Sequence, residues 1–128
     1  MRLLVDTHLL IWAASNDPKL TKAAFDMIMA PGVERYFSAA SIWEIAIKRS
    51  LARQDFAVDP GILRQGLLAN GYEELSVTGL HGAAVADLPL HHRDPFDRIL
   101  VAQAACEGLC LLTVDARLTR YPGHIRLV

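Results

Sequence analysis

Four acidic residues stand inside or directly after apolar runs: Asp6 in LLVDTH, Glu44 in SIWEIAIK, Asp97 in DPFDRILVAQA and Asp115 in LLTVDARL. An ionised carboxylate beside buried surface is costly unless something compensates its charge. The chain offers no equally regular set of cations to do this, and a bound divalent metal would resolve the conflict. Oxygen donors alone point to a hard cation, Mg2+ or Mn2+, rather than to zinc. Hydroxyls accompany the acids: Thr7 beside Asp6, Ser38 and Ser41 before Glu44, Thr113 before Asp115. Such groups can orient carboxylates or hold water at a metal. Without the metal, clustered carboxylates repel one another and titrate as a coupled, raised set.

Each acid also has a local reading. Asp6 can cap the helix that follows it, as can Thr7. Asp94 is a good N-cap ahead of Pro95, which leaves Asp97 in a first turn where negative charge suits the helix dipole. Glu44 can pair with Lys48 at i,i+4 spacing on a solvated face, beside an apolar stripe of Trp43, Ala46, Ile47 and Leu51. Asp115 can make an Asx-type turn. None of these local roles requires the four acids to follow the strand order of one fold.

That order comes from the elements that must carry them. Residues 2–6 (RLLVD) form an apolar run ending in an acid, as in a central parallel strand. Helices are expected over 7–14 and 19–30, the second ending at Pro31-Gly32. A strand over 35–39 leads to a helix over 42–53 that Ser41 can cap. A helix over 60–69, a strand over 74–77 and a helix over 80–88 follow. Asp94 caps a helix over 95–107, which Gly108 stops. A strand over 109–114, a turn over 116–121 and an edge strand over 125–128 complete the chain. Alternating strands and helices imply a mostly parallel sheet covered on both faces. In such sheets ligands bind beyond the carboxyl ends of the strands. Asp6 and Asp115 fall at two such ends, and Glu44 and Asp97 fall early in helices that share that edge.

A chain of 128 residues, 52% hydrophobic, suits one domain with one rich core. No apolar stretch reaches the roughly 18 to 20 residues of a membrane span. Asp6 and His8 interrupt the apolar N-terminus, so MRLLVDTHLLIW reads as a buried strand rather than a signal peptide, and a cytoplasmic protein is expected. With 13 basic and 14 acidic residues, overall charge gives no drive toward nucleic acid. Local basic groups do lie beside the acids: Lys48, Arg49 and Arg53; His91, His92, Arg93 and Arg98; Arg117 and Arg120. These could hold a phosphate backbone or simply balance local acids. Cys106 and Cys110 read as small buried hydrophobes. His91-His92 lacks a visible third ligand for zinc. His8 reads as a packing or hydrogen-bonding residue. Trp12, Phe25, Trp43 and Phe56 are candidate core aromatics. The apolar helices over 7–14 and 19–30 could offer a dimer face or a groove for a partner helix.

Taken together, LLVDTHLLIW, SAASIWEIAIK, RDPFDRILVAQA and LLTVDARL, in this order and spacing, make the chain resemble the PIN-domain proteins. Among these it is most similar to the VapC-type ribonuclease toxins of type II toxin–antitoxin pairs. The likeness covers essentially the whole chain. The family pattern of three near-invariant acids and a more variable fourth falls on Asp6, Glu44, Asp97 and Asp115. Asp97 takes the third position because it directly precedes the apolar RILVAQA, leaving Asp94 as a cap or outer residue.

The resemblance implies an α/β fold, a three-layer α/β/α sandwich with a small, mostly parallel central sheet, in a single PIN-like domain over 1–128. It implies Mg2+- or Mn2+-dependent hydrolysis of RNA phosphodiester bonds, with water attacking phosphorus in line. Asp6 and Asp97 are then expected as direct metal ligands. Glu44 would be a ligand or would orient the attacking water, and Asp115 would complete the site. Thr7, Ser41, Asp94 and Thr113 would support these four, and Lys48, Arg49, Arg93, Arg98 and Arg117 are candidate RNA contacts. The implied partners are an RNA substrate, a cognate antitoxin that lays a peptide across the site, and a second copy of the chain. DNA would be reached only through the antitoxin.

Two other readings stay open. An aspartate-based phosphoryl-transfer enzyme would need a second acid two residues after Asp6, where His8 stands. A non-catalytic PIN-like or receiver-like binding module would have little use for four intact acids.

Overall fold

The computed structural model describes residues 1–128. Five strands, β1 (Arg2–Val5), β2 (Glu34–Ser38), β3 (Tyr72–Leu75), β4 (Cys110–Thr113) and β5 (Ile125–Leu127), form one sheet in the order β3-β2-β1-β4-β5. Every pairing is parallel. The helices are α1 (Thr7–Ala14), α2 (Lys22–Met29), α3 (Ala39–Ser50), α4 (Pro60–Ala69), α5 (Gly79–Val85) and α6 (Pro95–Glu107), with short 3-10 turns at Gln54–Phe56 and Ala116–Arg120.

The strand sequences explain the order. β4 (CLLT) is buried throughout and β1 (RLLV) at all but its first residue, as inner parallel strands must be. The outermost strands β3 (YEEL) and β5 (IRL) carry charge and are more exposed. Alternation along β1 then creates two cores. Leu3 and Val5 join Leu9, Leu10, Ile28, Ile45, Leu63 and Leu67 on the face covered by α1–α4. Leu4 joins Leu100, Val101, Ala104, Leu118 and Tyr121 on the face covered by α6. These are the three layers of an α/β/α sandwich. Each fully buried leucine contributes about 1.5–3 kcal/mol, so strands of three to five residues suffice.

Several boundaries differ from the sequence reading, each for a local reason. Asp17 accepts the Lys19 N–H at 2.9 Å, so α2 begins only at Lys22, with Thr21 as its cap. Ser38, not Ser41, caps α3 and accepts the Ala40 N–H at 3.0 Å. β3 begins at Tyr72, whose buried ring anchors it two residues early, and Thr78 becomes the cap of α5. Gly108 ends α6 at φ 66°, a conformation that favours glycine. Phe56 is buried and Trp12 half-buried, but Phe25 and Trp43 are 51% and 64% exposed and do not belong to the core. Cys110 is buried and Cys106 exposed.

Candidate metal centre at the carboxyl edge of the sheet

Asp6 leaves β1 and caps α1: its Oδ1 accepts the Leu9 N–H at 3.0 Å. Its Oδ2 accepts the Thr113 hydroxyl at 2.6 Å and the Val114 N–H at 3.3 Å. The cap reading therefore holds, and the same carboxylate is also tied to the end of β4. Burial raises the Asp6 pKa, and the Thr113 and Leu9 hydrogen bonds oppose the rise. The Thr113 oxygen also accepts the Asp115 N–H at 3.0 Å, which ties the ends of β1 and β4 together.

Glu44 is not on a solvated face; it is 2% exposed. Its Oε1 accepts the Thr7 hydroxyl at 2.6 Å, and its Oε2 meets Lys48 Nζ at 2.6 Å. Ser41, freed from capping, lies 2.9 Å from the Thr7 oxygen. Lys48 Nζ is also 3.5 Å from Asp94 Oδ2 and lies over the Phe56 ring. Burial works against the Lys48 charge, but Glu44 and Asp94 outweigh it and raise its pKa.

Asp94 caps α6, its Oδ1 accepting the Phe96 N–H at 2.8 Å. One turn on, Asp97 Oδ2 lies 2.7 Å from His92 Nε2, which is 3.6 Å from Asp115 Oδ2. Burial, then the charge of Asp94, pushes the Asp97 pKa up to about 6; Glu44 adds to the rise and His92 opposes it. Asp115 is held below the ordinary carboxylate range by Arg117, which binds it through two contacts of 3.0 and 2.8 Å.

The contacts run from Thr7 through Glu44, Lys48, Asp94, Asp97, His92, Asp115 and Thr113 to Asp6, and the peptide bond from Asp6 to Thr7 closes the circuit. Within it, His92, Asp94 and Asp97 place donor atoms within 4.8 Å of one another. Glu44 reaches this trio through Lys48, and Asp6 reaches it through Thr113 and Asp115. The expectation of acids without partners is thus corrected. Each has a partner, but only Glu44 and Asp115 face a lysine or an arginine. Asp94 does more than cap, because it belongs to the trio. His91 stays outside this group, whereas His92 joins Asp94 and Asp97 in it. Its sequence signal was a histidine just ahead of the Asp94 cap, which matters only once the loop folds back over α6.

The basic residues divide into distinct roles. Arg98 is structural: its guanidinium donates to the Val85, Leu88 and Pro89 carbonyls at 3.0–3.4 Å. Lys48 is enclosed between acids, and Arg49 pairs with Asp59 at 3.3 Å. Arg93 and Arg117 line an open polar cleft of about 380 Å³ with Leu90, His91, His92 and Asp94. His8 contacts Asp55 at 3.3 Å and packs on Trp12 and Phe56.

The donor set fits a divalent cation. Carboxylate oxygens converge with one imidazole nitrogen, and burial together with the charge of Asp94 makes Asp97 resist ionisation, a cost that a bound cation would offset.

Comparison with known proteins agrees with this architecture. The solved structures similar to the chain include VapBC2 from Rickettsia felis bound to a promoter DNA fragment, at 13% identity and a TM-score of 0.72, covering 99% of this chain and 98% of that one. VapBC-1 from nontypeable Haemophilus influenzae is similar at 17% identity and a TM-score of 0.64, covering 99% and 98%. A toxin–antitoxin complex from Klebsiella pneumoniae is similar at 16% identity and a TM-score of 0.65, covering 97% and 95%. At such identities the likeness is one of fold. No curated protein matches the chain significantly. The sequence profile of the PIN domain matches residues 3–124, and the chain belongs to the PIN-domain family.

Proposed function

We propose that the protein is a metal-dependent endoribonuclease and the toxin of a toxin–antitoxin pair. The observation that carries the nuclease reading is Asp97. It is a half-buried carboxylate beside Asp94 and His92, held at a pKa of about 6, at the carboxyl edge of a parallel sheet in a PIN-domain chain. Asp97, Asp94 and Asp6 would hold the cation, Mg2+ or Mn2+. That cation supplies charge neutralisation at the phosphate and makes a neighbouring water more acidic. Thr113 holds the Asp6 carboxylate in one rotamer, and Thr7 with Lys48 does the same for Glu44, which orients the attacking water. Arg93 and Arg117, along the open cleft, hold the RNA backbone.

Phosphoryl transfer through Asp6 is disfavoured, because the position two residues on, where a second acid is needed, holds His8, which contacts Asp55. The test is cleavage of a structured RNA by the purified protein. Asp97→Asn and chelation by EDTA should each lower the rate by a factor on the order of 10³. Unchanged cleavage in either case, or a phosphorylated Asp6, would end this reading.

The toxin assignment is supported by the VapBC neighbours and by a groove of about 650 Å³ between α1–α2 and α4. Phe25, Met29 and Ile62 line it and are more than half exposed. Such a groove suits the apolar face of an antitoxin helix. Operator DNA would be bound by the antitoxin. Ile62→Asp should abolish co-purification with the antitoxin while leaving RNA cleavage intact.

A further inference from the structure

We propose that His92 supplies a nitrogen donor to the metal ion, so that the site binds Mn2+ in preference to Mg2+. The inference rests on the nuclease reading only in that it takes a divalent cation to bind here.

The first argument is distance. His92 Nε2 lies 2.7 Å from Asp97 Oδ2 and 3.6 Å from Asp115 Oδ2. With Asp94 and Asp97 it forms a set of donors within 4.8 Å of one another. Neighbouring donors on one octahedral ion, bonded at about 2.1 Å, stand about 3 Å apart. The observed spacings bracket that value, so the imidazole needs only a small shift to serve with Asp97.

The second argument is that the backbone carrying the ring is held in place. The His92 side chain is 9% exposed. Its backbone N–H donates to the Tyr121 hydroxyl at 2.9 Å, and its carbonyl accepts from the same hydroxyl at 3.2 Å. Arg98 donates to that hydroxyl at 3.1 Å and to the Pro89 carbonyl at 3.0 Å. Arg98 directly follows Asp97 on α6, so the loop carrying His92 is fastened to the helix carrying the acids. His91 adds an edge-on contact with Tyr121, ring centroids 5.2 Å apart.

The third argument is donor chemistry. Mg2+ takes oxygen ligands and retains water, whereas Mn2+ binds the same carboxylates and accepts imidazole more readily. The neutral tautomer with its proton on Nδ1 presents Nε2 to the ion.

The experiment uses the purified protein stripped of metal and reloaded with Mn2+. Pulsed electron paramagnetic resonance reads directly bound nitrogen, and calorimetric titration reads the affinities of wild type and His92→Gln for Mn2+ and Mg2+. The expected result is a directly bound ¹⁴N in wild type that is lost in His92→Gln. Mn2+ affinity should fall about tenfold in the variant, with Mg2+ affinity within about twofold. Mn2+ bound by wild type without a coupled nitrogen would overturn the proposal and leave the nuclease reading intact. An equal loss of both metals in the variant would overturn it too. Wild type that binds neither ion would overturn both. The wild-type spectrum is informative whether or not the variant folds.

Discussion

The two halves of the acidic edge are compensated in different ways. On the β1–α3 side, Asp6 and Glu44 are 5% and 2% exposed, and all four of their oxygens accept a hydrogen bond or meet the Lys48 ammonium. On the α6 side, Asp94 and Asp97 lie close together, more exposed, with a distant share of Lys48 and a histidine as their compensation. The first half is a frame that remains satisfied without a ligand. The second half lacks positive charge, and a cation gains most by binding there. Depth of burial alone therefore does not mark a candidate metal site; burial without full compensation does.

The comparison breaks most severely if the frame loses its cation. Lys48→Met leaves Glu44 buried beside Asp94 with no ammonium between them. Loss of one partner of a buried pair costs about 3–5 kcal/mol, so urea denaturation at neutral pH should register a drop of that order. A drop below about 1 kcal/mol would mean that the β1–α3 side does not depend on Lys48.

The α6 half should reveal itself through pH. The Asp97 pKa is raised from 3.8 to about 6, so the folded protein holds that proton more tightly than the unfolded chain does. The corresponding stability is complete below pH 3.8 and is lost as pH rises through about 6. At 1.36 kcal/mol per unit, the loss amounts to about 3 kcal/mol at most. Unfolding in EDTA across this window should show it as a difference between wild type and Asp97→Asn. Saturating Mn2+ should reverse it, since the ion replaces the proton. Asp115 works in the opposite direction: Arg117 lowers its pKa, and its contribution is lost as pH falls.

The smallest effect sharpens the contrast. Thr113→Val removes the hydroxyl that joins Asp6 to the Asp115 backbone, at a cost of about 1–2 kcal/mol in thermal or urea unfolding. Because Asp6 keeps its Leu9 and Val114 bonds, RNA cleavage should fall less than in Asp97→Asn. Equal losses would place Asp6, not Asp97, at the centre of the site.

Much of this architecture could be read from the chain. The apolar runs of β1 and β4, each followed by an acid, marked the inner strands. The Asp94-Pro95 start and Gly108 stop of α6 were legible because caps act through neighbours one turn away. Boundaries were misread where two groups competed for one role. Ser38 and Ser41 could both cap α3, and the winner was set by the need for Ser41 beside Thr7, a residue 34 positions away. The stripe of Trp43, Ala46, Ile47 and Leu51 does not reveal which side of α3 faces the sheet; Ile45, outside that stripe, faces it, and Trp43 points out toward Phe96.

The sequence by itself determined the alternation of strands and helices, the family likeness, and the four acids that topology delivers to one edge. These follow from periodicity and chain order, which are local properties. Only the tertiary structure decided which acids are neutralised and which are left short of charge. Lys48 reaches Asp94 across 46 positions, Thr113 reaches Asp6 across 107, and His92 is brought to Asp97 and Asp115 by a loop fastened to Tyr121. Charge compensation acts through distance in space, and distance in space is set by packing rather than by sequence separation.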